Sequence, residues 1–96
     1  MAADHPDSLP SILSQLEALA YKLGVDVRYE DFEEDIENSL GGLLKLKGRH
    51  VILVNREKPL KAQVKTLIKA LRKFNIQGLY VKPALRELLS SSRPRL

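Results

Sequence analysis

Val51-Ile52-Leu53-Val54 is apolar at every position. A half-exposed strand alternates apolar with polar residues, so an unbroken run predicts a central strand covered on both faces. Leu43-Leu44-Lys45-Leu46 lies just upstream, and Lys47-Gly48-Arg49-His50 stands between the two runs. Two strand signals separated by a Gly-containing turn read as a β-hairpin. Whatever else the chain does, it must deliver further elements to this hairpin.

Upstream, Ser8 to Leu23 reads as a helix: Ser8 is a suitable N-cap, Pro10 is tolerated in the first turn, and Gly24 supplies the stop. Ile12, Leu16, Leu19 and Leu23, with Leu13 and Ala20 beside them, form an apolar stripe at helical spacing and predict core packing. Val25-Asp26-Val27-Arg28-Tyr29 alternates, as a short half-buried strand does. Beyond the hairpin, Asn55 to Lys58 is a loop and Pro59 suits the first position of a second helix. After Gly78, Leu79-Tyr80-Val81 is expected to add a short edge strand, and Pro83 to open a final helix that buries Leu85, Leu88 and Leu89.

These elements imply an α+β fold. It has an N-terminal helix, a small antiparallel or mixed sheet of three to four strands, a central amphipathic helix on that sheet, and a short C-terminal helix. Ninety-six residues suit one domain, expected over 8–90, with flexible tails at 1–7 and 91–96, the second of them basic. A hydrophobic fraction of 44% is too high for a disordered chain. No cysteine is present, which removes disulfides, thiolate metal sites and thiol catalysis. No apolar run approaches the roughly 20 residues that span a bilayer, and the start lacks the features of a secretory signal. The cytoplasm is the expected compartment.

Charge divides the chain. Residues 1–44 carry two basic and ten acidic residues, net −8, whereas residues 45–96 carry fourteen basic and two acidic ones, net +12. Such asymmetry points either to an anionic partner or to one half meeting the other, within a molecule or between subunits. Six of the ten residues from Glu30 to Ser39 are acidic, with Phe32 and Ile36 as apolar anchors. The spacing does not match a calcium loop, so a solvated connection is expected. Gly41-Gly42 lacks the Lys-Ser/Thr ending of a phosphate loop and precedes a strand; a bulge or close backbone approach is expected instead.

The helix expected from Pro59 to Phe74 is the most informative element. Leu60, Val64, Leu67, Ile68, Leu71 and Phe74 make a one-sided stripe for packing on a sheet. Lys61, Lys65, Lys69, Arg72 and Lys73 fall on the opposite arc, a candidate interaction surface, with Ala62, Thr66 and Ala70 between the faces.

With these residues in view, the order helix, strand, hairpin GGLLKLKGRHVILVN and helix AQVKTLIKALRKF resembles the start of the ImmA/IrrE metallopeptidase family, over roughly residues 16–74. In that family the last helix carries TLAHELGH. Thr66-Leu67 match its opening pair, and Lys69, Ala70 and Lys73 stand where the two zinc-binding histidines and the catalytic glutamate would be. The resemblance therefore implies a degenerate zincin-type scaffold without H-E-x-x-H. It also suggests a bacterial regulatory setting, since peptidases of this kind often act on transcriptional repressors. Zinc hydrolysis needs neutral imidazoles at i and i+4 and a carboxylate beside them. Charged ammonium groups repel the cation, and alanine is no base.

The remaining chemistry is sparse. His5 falls in the N-terminal tail and His50 in the turn, neither with an i+4 partner, and both are expected to be incidental surface histidines. No Gly-x-Ser-x-Gly elbow is present, and no Ser has an evident His partner. No metal or cofactor is implied, and no enzymatic activity is expected. The favoured expectation is a protein-interaction or regulatory module, with self-association through the divided charge as one form of it. The alternative is an anion or nucleic-acid binder that tracks phosphates with the lysine row, helped by Tyr80 and Arg93-Pro94-Arg95. Against that alternative, the row has no interleaved aromatics for stacking.

Overall fold

The computed structural model describes residues 8–31 and 42–90. In chain order these form α1 (Leu9–Lys22), β1 (Asp26–Glu30), β2 (Leu43–Leu46), β3 (Arg49–Asn55), α2 (Leu60–Leu71) and α3 (Pro83–Ser90). The α+β class is as expected, with three strands in the order β1-β3-β2. The sheet is mixed: β3 pairs in parallel with β1 and antiparallel with β2. The terminal segments and most of the acidic stretch, from Phe32 onward, lie outside the described residues.

Helix α1 begins as its sequence demands. Ser8 has an extended backbone, and its side-chain oxygen accepts a hydrogen bond from the Ser11 amide at 3.2 Å, which satisfies one of the otherwise orphaned N–H groups of the first turn. At the other end Gly24, at φ +77°, turns the chain into β1.

The apolar run of β3 occupies the centre of the sheet. Ile52 and Val54 are fully buried and point towards the helices, in one core with Leu16, Leu19 and Ala20 of α1 and Val64, Leu67, Ala70 and Leu71 of α2. Val27 and Tyr29 of β1 and Leu43 of β2, aligned with Val54 or Ile52 by register, support the same side. The opposite side of β3 carries Val51, only 2% exposed, and half-buried Leu53. Among the described residues, the helical core is built on the Ile52–Val54 side alone.

The turn between β2 and β3 is tighter than the four residues its sequence suggested. Only Lys47 and Gly48 lie between the strands, both at positive φ (50° and 82°), the signature of a two-residue type I′ turn. His50 is therefore part of β3, not a turn residue. Its half-buried ring meets the edge of Phe74 at 5.1 Å between centroids.

Gly42 marks a close approach, one of the two meanings expected for the glycine pair. Its φ is +82°, and a Cβ there would lie 2.7 Å from the Thr66 methyl and 3.1 Å from the Leu53 carbonyl. The Gly42 carbonyl accepts the Leu53 amide at 2.6 Å, so β2 starts pressed against both the central strand and α2. The connection into α2 is fixed by side chains: Asn55 Oδ1 accepts the Glu57 amide at 2.9 Å, and Gln63 Nε2 donates to the Lys58 carbonyl at 3.0 Å.

Further expectations need correcting. Leu88, expected to be buried with Leu85 and Leu89 in the last helix, is instead exposed, because α3 turns only one narrow stripe to the core. Leu79-Tyr80-Val81 is not a strand: the Leu79 amide closes a turn onto the Ile76 carbonyl, and Val81 is buried in the helical core, paired with no strand. Helix α2 stops at Leu71, which frees Phe74 to turn back to His50, and Pro59 is its N-cap. Finally, Thr66 and Ala70 do not lie between faces. They are buried, at 6% and 0% exposure: Ala70 belongs to the core that α2 shares with α1, and the Thr66 methyl faces Gly42 at the start of β2, which together widen the buried arc to about 160°.

Candidate functional site

The cationic residues singled out in α2 share one solvent-facing surface. Lys61, Lys65 and Lys69 project from the helix, and Arg72 and Lys73 extend the row through the turn that follows it; all five are exposed. Successive lysines four residues apart advance about 6 Å along the axis and rotate about 40°, so the row winds gently around the helix. None of the five has an acidic partner among the described residues. Ion pairs that do occur there, Arg49–Asp26 at 3.2 Å and Arg56–Asp31 at 3.3 Å, lie elsewhere and are largely exposed. The row is a concentration of like charge whose counter-charge is not met among the described residues, and neighbouring lysines at i, i+4 repel one another.

The positions aligned with a zinc motif diverge in space. Lys69 and Lys73 are exposed on the solvent side, whereas Ala70 is turned about 100° from Lys69 and is fully buried in the core. A group at Ala70 would meet Leu-rich packing and not water, so the three do not line a common cleft. Among the described residues, no three His, Cys, Asp or Glu side chains gather closely enough to hold a metal ion. His5 lies outside the described residues.

Tyr80, expected to support the lysine row, belongs to another surface. It is 73% exposed and lines a hollow between α1 and α3 with Gln15, Lys22 and Lys82. Arg93 and Arg95 lie outside the described residues. A second hollow, between the end of α2 and α3, is lined by Arg72, Asn75, Gln77 and Arg86 over a floor that includes Leu71 and Leu89. Arg86 was not singled out in the sequence. It sits in an otherwise leucine-rich helix, and only the return of α3 onto α2 brings it to Arg72.

Among the described residues, one ionisable group is strongly perturbed. Burial pushes the Tyr29 hydroxyl well above the ordinary tyrosine range, helped by its hydrogen bond to Glu17 and by that carboxylate's charge. The pair ties α1 to β1 away from the cationic surface. Sequence alternation places Tyr29 with Val27 towards the core, but nothing local indicates which helix residue it meets.

Comparison with protein-family models, with curated proteins and with solved structures returns no match for this chain. No helix among the described residues is long and apolar enough to cross a membrane.

Proposed function

We propose that the chain is a non-catalytic protein-interaction or regulatory module that uses the basic face of α2 to meet an acidic protein surface. The observation that carries this reading is the row Lys61, Lys65, Lys69, Arg72 and Lys73, exposed throughout and without an acidic partner among the described residues. A folded surface that concentrates charge in this way steers oppositely charged partners towards itself. The non-catalytic part of the reading rests on Lys69, Ala70 and Lys73, which offer neither imidazole nor carboxylate where a zinc peptidase of the resembled family would need them. Burial of Ala70 supports the same reading, since that position serves packing.

The test compares the full chain with a Lys61→Glu/Lys65→Glu/Lys69→Glu variant as bait, identifies captured proteins by mass spectrometry, and follows self-association by light scattering at low and high salt. Capture of an acidic protein, or a salt-sensitive oligomer, that the variant loses supports the proposal. Identical behaviour of both baits overturns it. The same exposed row of positive charge also serves a nucleic-acid reading, which a salt-dependent mobility shift with single-stranded and duplex DNA would favour.

A further inference from the structure

We propose that the hollow between the end of α2 and α3 is a receptor for an acidic peptide side chain flanked by apolar residues, contributed by the protein partner inferred above. This inference rests on the interaction-module reading and gives it a specific contact.

Arg72 and Arg86 come from different elements and line the same hollow. Arg86 is half-buried and held in place, with Nη2 donating to the Leu79 carbonyl at 3.1 Å. A guanidinium carries five N–H donors, so most of its hydrogen-bonding capacity is unused by the described residues. Among those residues no carboxylate lines the hollow and neither arginine has an ion pair. A partly desolvated guanidinium without a counter-ion gains most from an anion able to bond two of its donors. Asn75 and Gln77 add amide groups to the rim, with Asn75 Oδ1 already accepting the Gln77 amide at 2.9 Å.

The floor selects what carries the charge. Half-buried Phe74 and Ile76 give the hollow its accessible apolar surface, over the buried core residues Leu71 and Leu89. A bare inorganic anion would satisfy the arginines and leave this apolar surface wet. A carboxylate next to an aliphatic side chain covers both. Arg72 also belongs to the basic row, in the turn just beyond α2, so a peptide lying along the lysines reaches the hollow without leaving the protein.

The experiment is a titration of the full, ¹⁵N-labelled chain with a capped Leu-Glu-Leu tripeptide that has no free termini, with its Leu-Gln-Leu counterpart and with inorganic phosphate. The Leu-Glu-Leu peptide is expected to shift the amides of Asn75, Gln77, Arg86 and Ser90. Loss of the peptide's charge, or the Arg86→Gln substitution, weakens binding roughly tenfold, whereas Lys65→Gln changes it little. Because Arg86 also holds Leu79, the Arg72→Gln variant gives a second test that leaves this bond in place, and it too must weaken binding. Equal shifts from both peptides, stronger binding of phosphate than of peptide, or shifts confined to the lysine row would overturn the proposal. Partner capture that survives Arg72→Gln and Arg86→Gln keeps the module and removes the hollow. Peptide binding in a chain that captures no partner keeps the hollow and removes the module.

Discussion

The Tyr29 hydroxyl on β1 donates a hydrogen bond to the Glu17 carboxylate on α1, joining the first two elements of the chain across the two layers of the fold. Tyr29→Phe keeps the ring and loses the bond, at a cost of about 1 kcal/mol for a charge-assisted bond in a partly solvated site. Because the folded state holds the hydroxyl proton more tightly than the unfolded chain, this stabilisation is fully present below the ordinary tyrosine pKa near 10 and is lost as pH rises above it. Urea unfolding at neutral and alkaline pH should show the wild type losing its advantage over Tyr29→Phe. Ultraviolet titration should lose its late-ionising tyrosine phase in the variant.

Gly42 and Gly48 have the same φ, +82°, but different surroundings. Gly48→Ala meets open space and carries only the left-handed backbone penalty, about 1 kcal/mol. Gly42→Ala adds a methyl 2.7 Å from the Thr66 side chain and should cost about 2–3 kcal/mol or more. Combining Gly42→Ala with Thr66→Ser, which deletes the opposing methyl, should recover part of that loss. A double-mutant cycle by chemical denaturation measures the coupling, and strict additivity would contradict this packing.

Lys47 adopts φ 50° in the hairpin turn, where asparagine is more at ease. Lys47→Asn creates the Asn-Gly pair favoured in type I′ turns and should raise stability by about 0.5–1 kcal/mol, read as a higher thermal midpoint.

Ala70 has no room for a larger or charged side chain. Ala70→Glu, the substitution a zinc-peptidase helix would call for, buries a carboxylate in the core and should cost at least about 3 kcal/mol. Lys69→His and Lys73→His, both exposed, should fold normally. Circular dichroism melts of the three single variants distinguish these outcomes.

Neutralising the basic row should separate stability from binding. Lys65→Gln removes repulsion with Lys61 and Lys69 and should stabilise the fold by about 0.2–0.5 kcal/mol per relieved pair at low salt, less at high salt. Affinity for an acidic partner should fall in the same variant. A surface maintained only for solubility would show the relief of repulsion without the loss of affinity.

Local residue chemistry carried much of the fold. Ser8 announced the start of α1, and the apolar run at Val51–Val54 its central strand. The exposed lysine row followed from helical spacing alone. What stayed hidden depends on contacts between elements distant in sequence. Thr66 and Ala70 looked marginal because their burial comes from Gly42 at the start of β2 and from the core shared with α1, neither of which the periodicity of α2 registers. Leu79-Tyr80-Val81 has strand-like residues, but Val81 found a place among helices. The Arg72–Arg86 approach depends on the return of α3, which no local pattern encodes.

The mixed pairing of β3 also bears on the order in which the molecule can assemble. Leu46 and Arg49 meet across a two-residue turn, and α2 follows directly, so strands β2 and β3 with their covering helix need only short loops to close. Asp26 must instead find Val51 after the whole intervening chain has been placed. Closing that longer loop costs entropy before any contact repays it, and non-local pairings of this kind slow folding. During synthesis β1 is made before β3, its neighbour in the described sheet, and until β3 arrives its Val27 and Tyr29 lack the strand they lie beside in the folded protein.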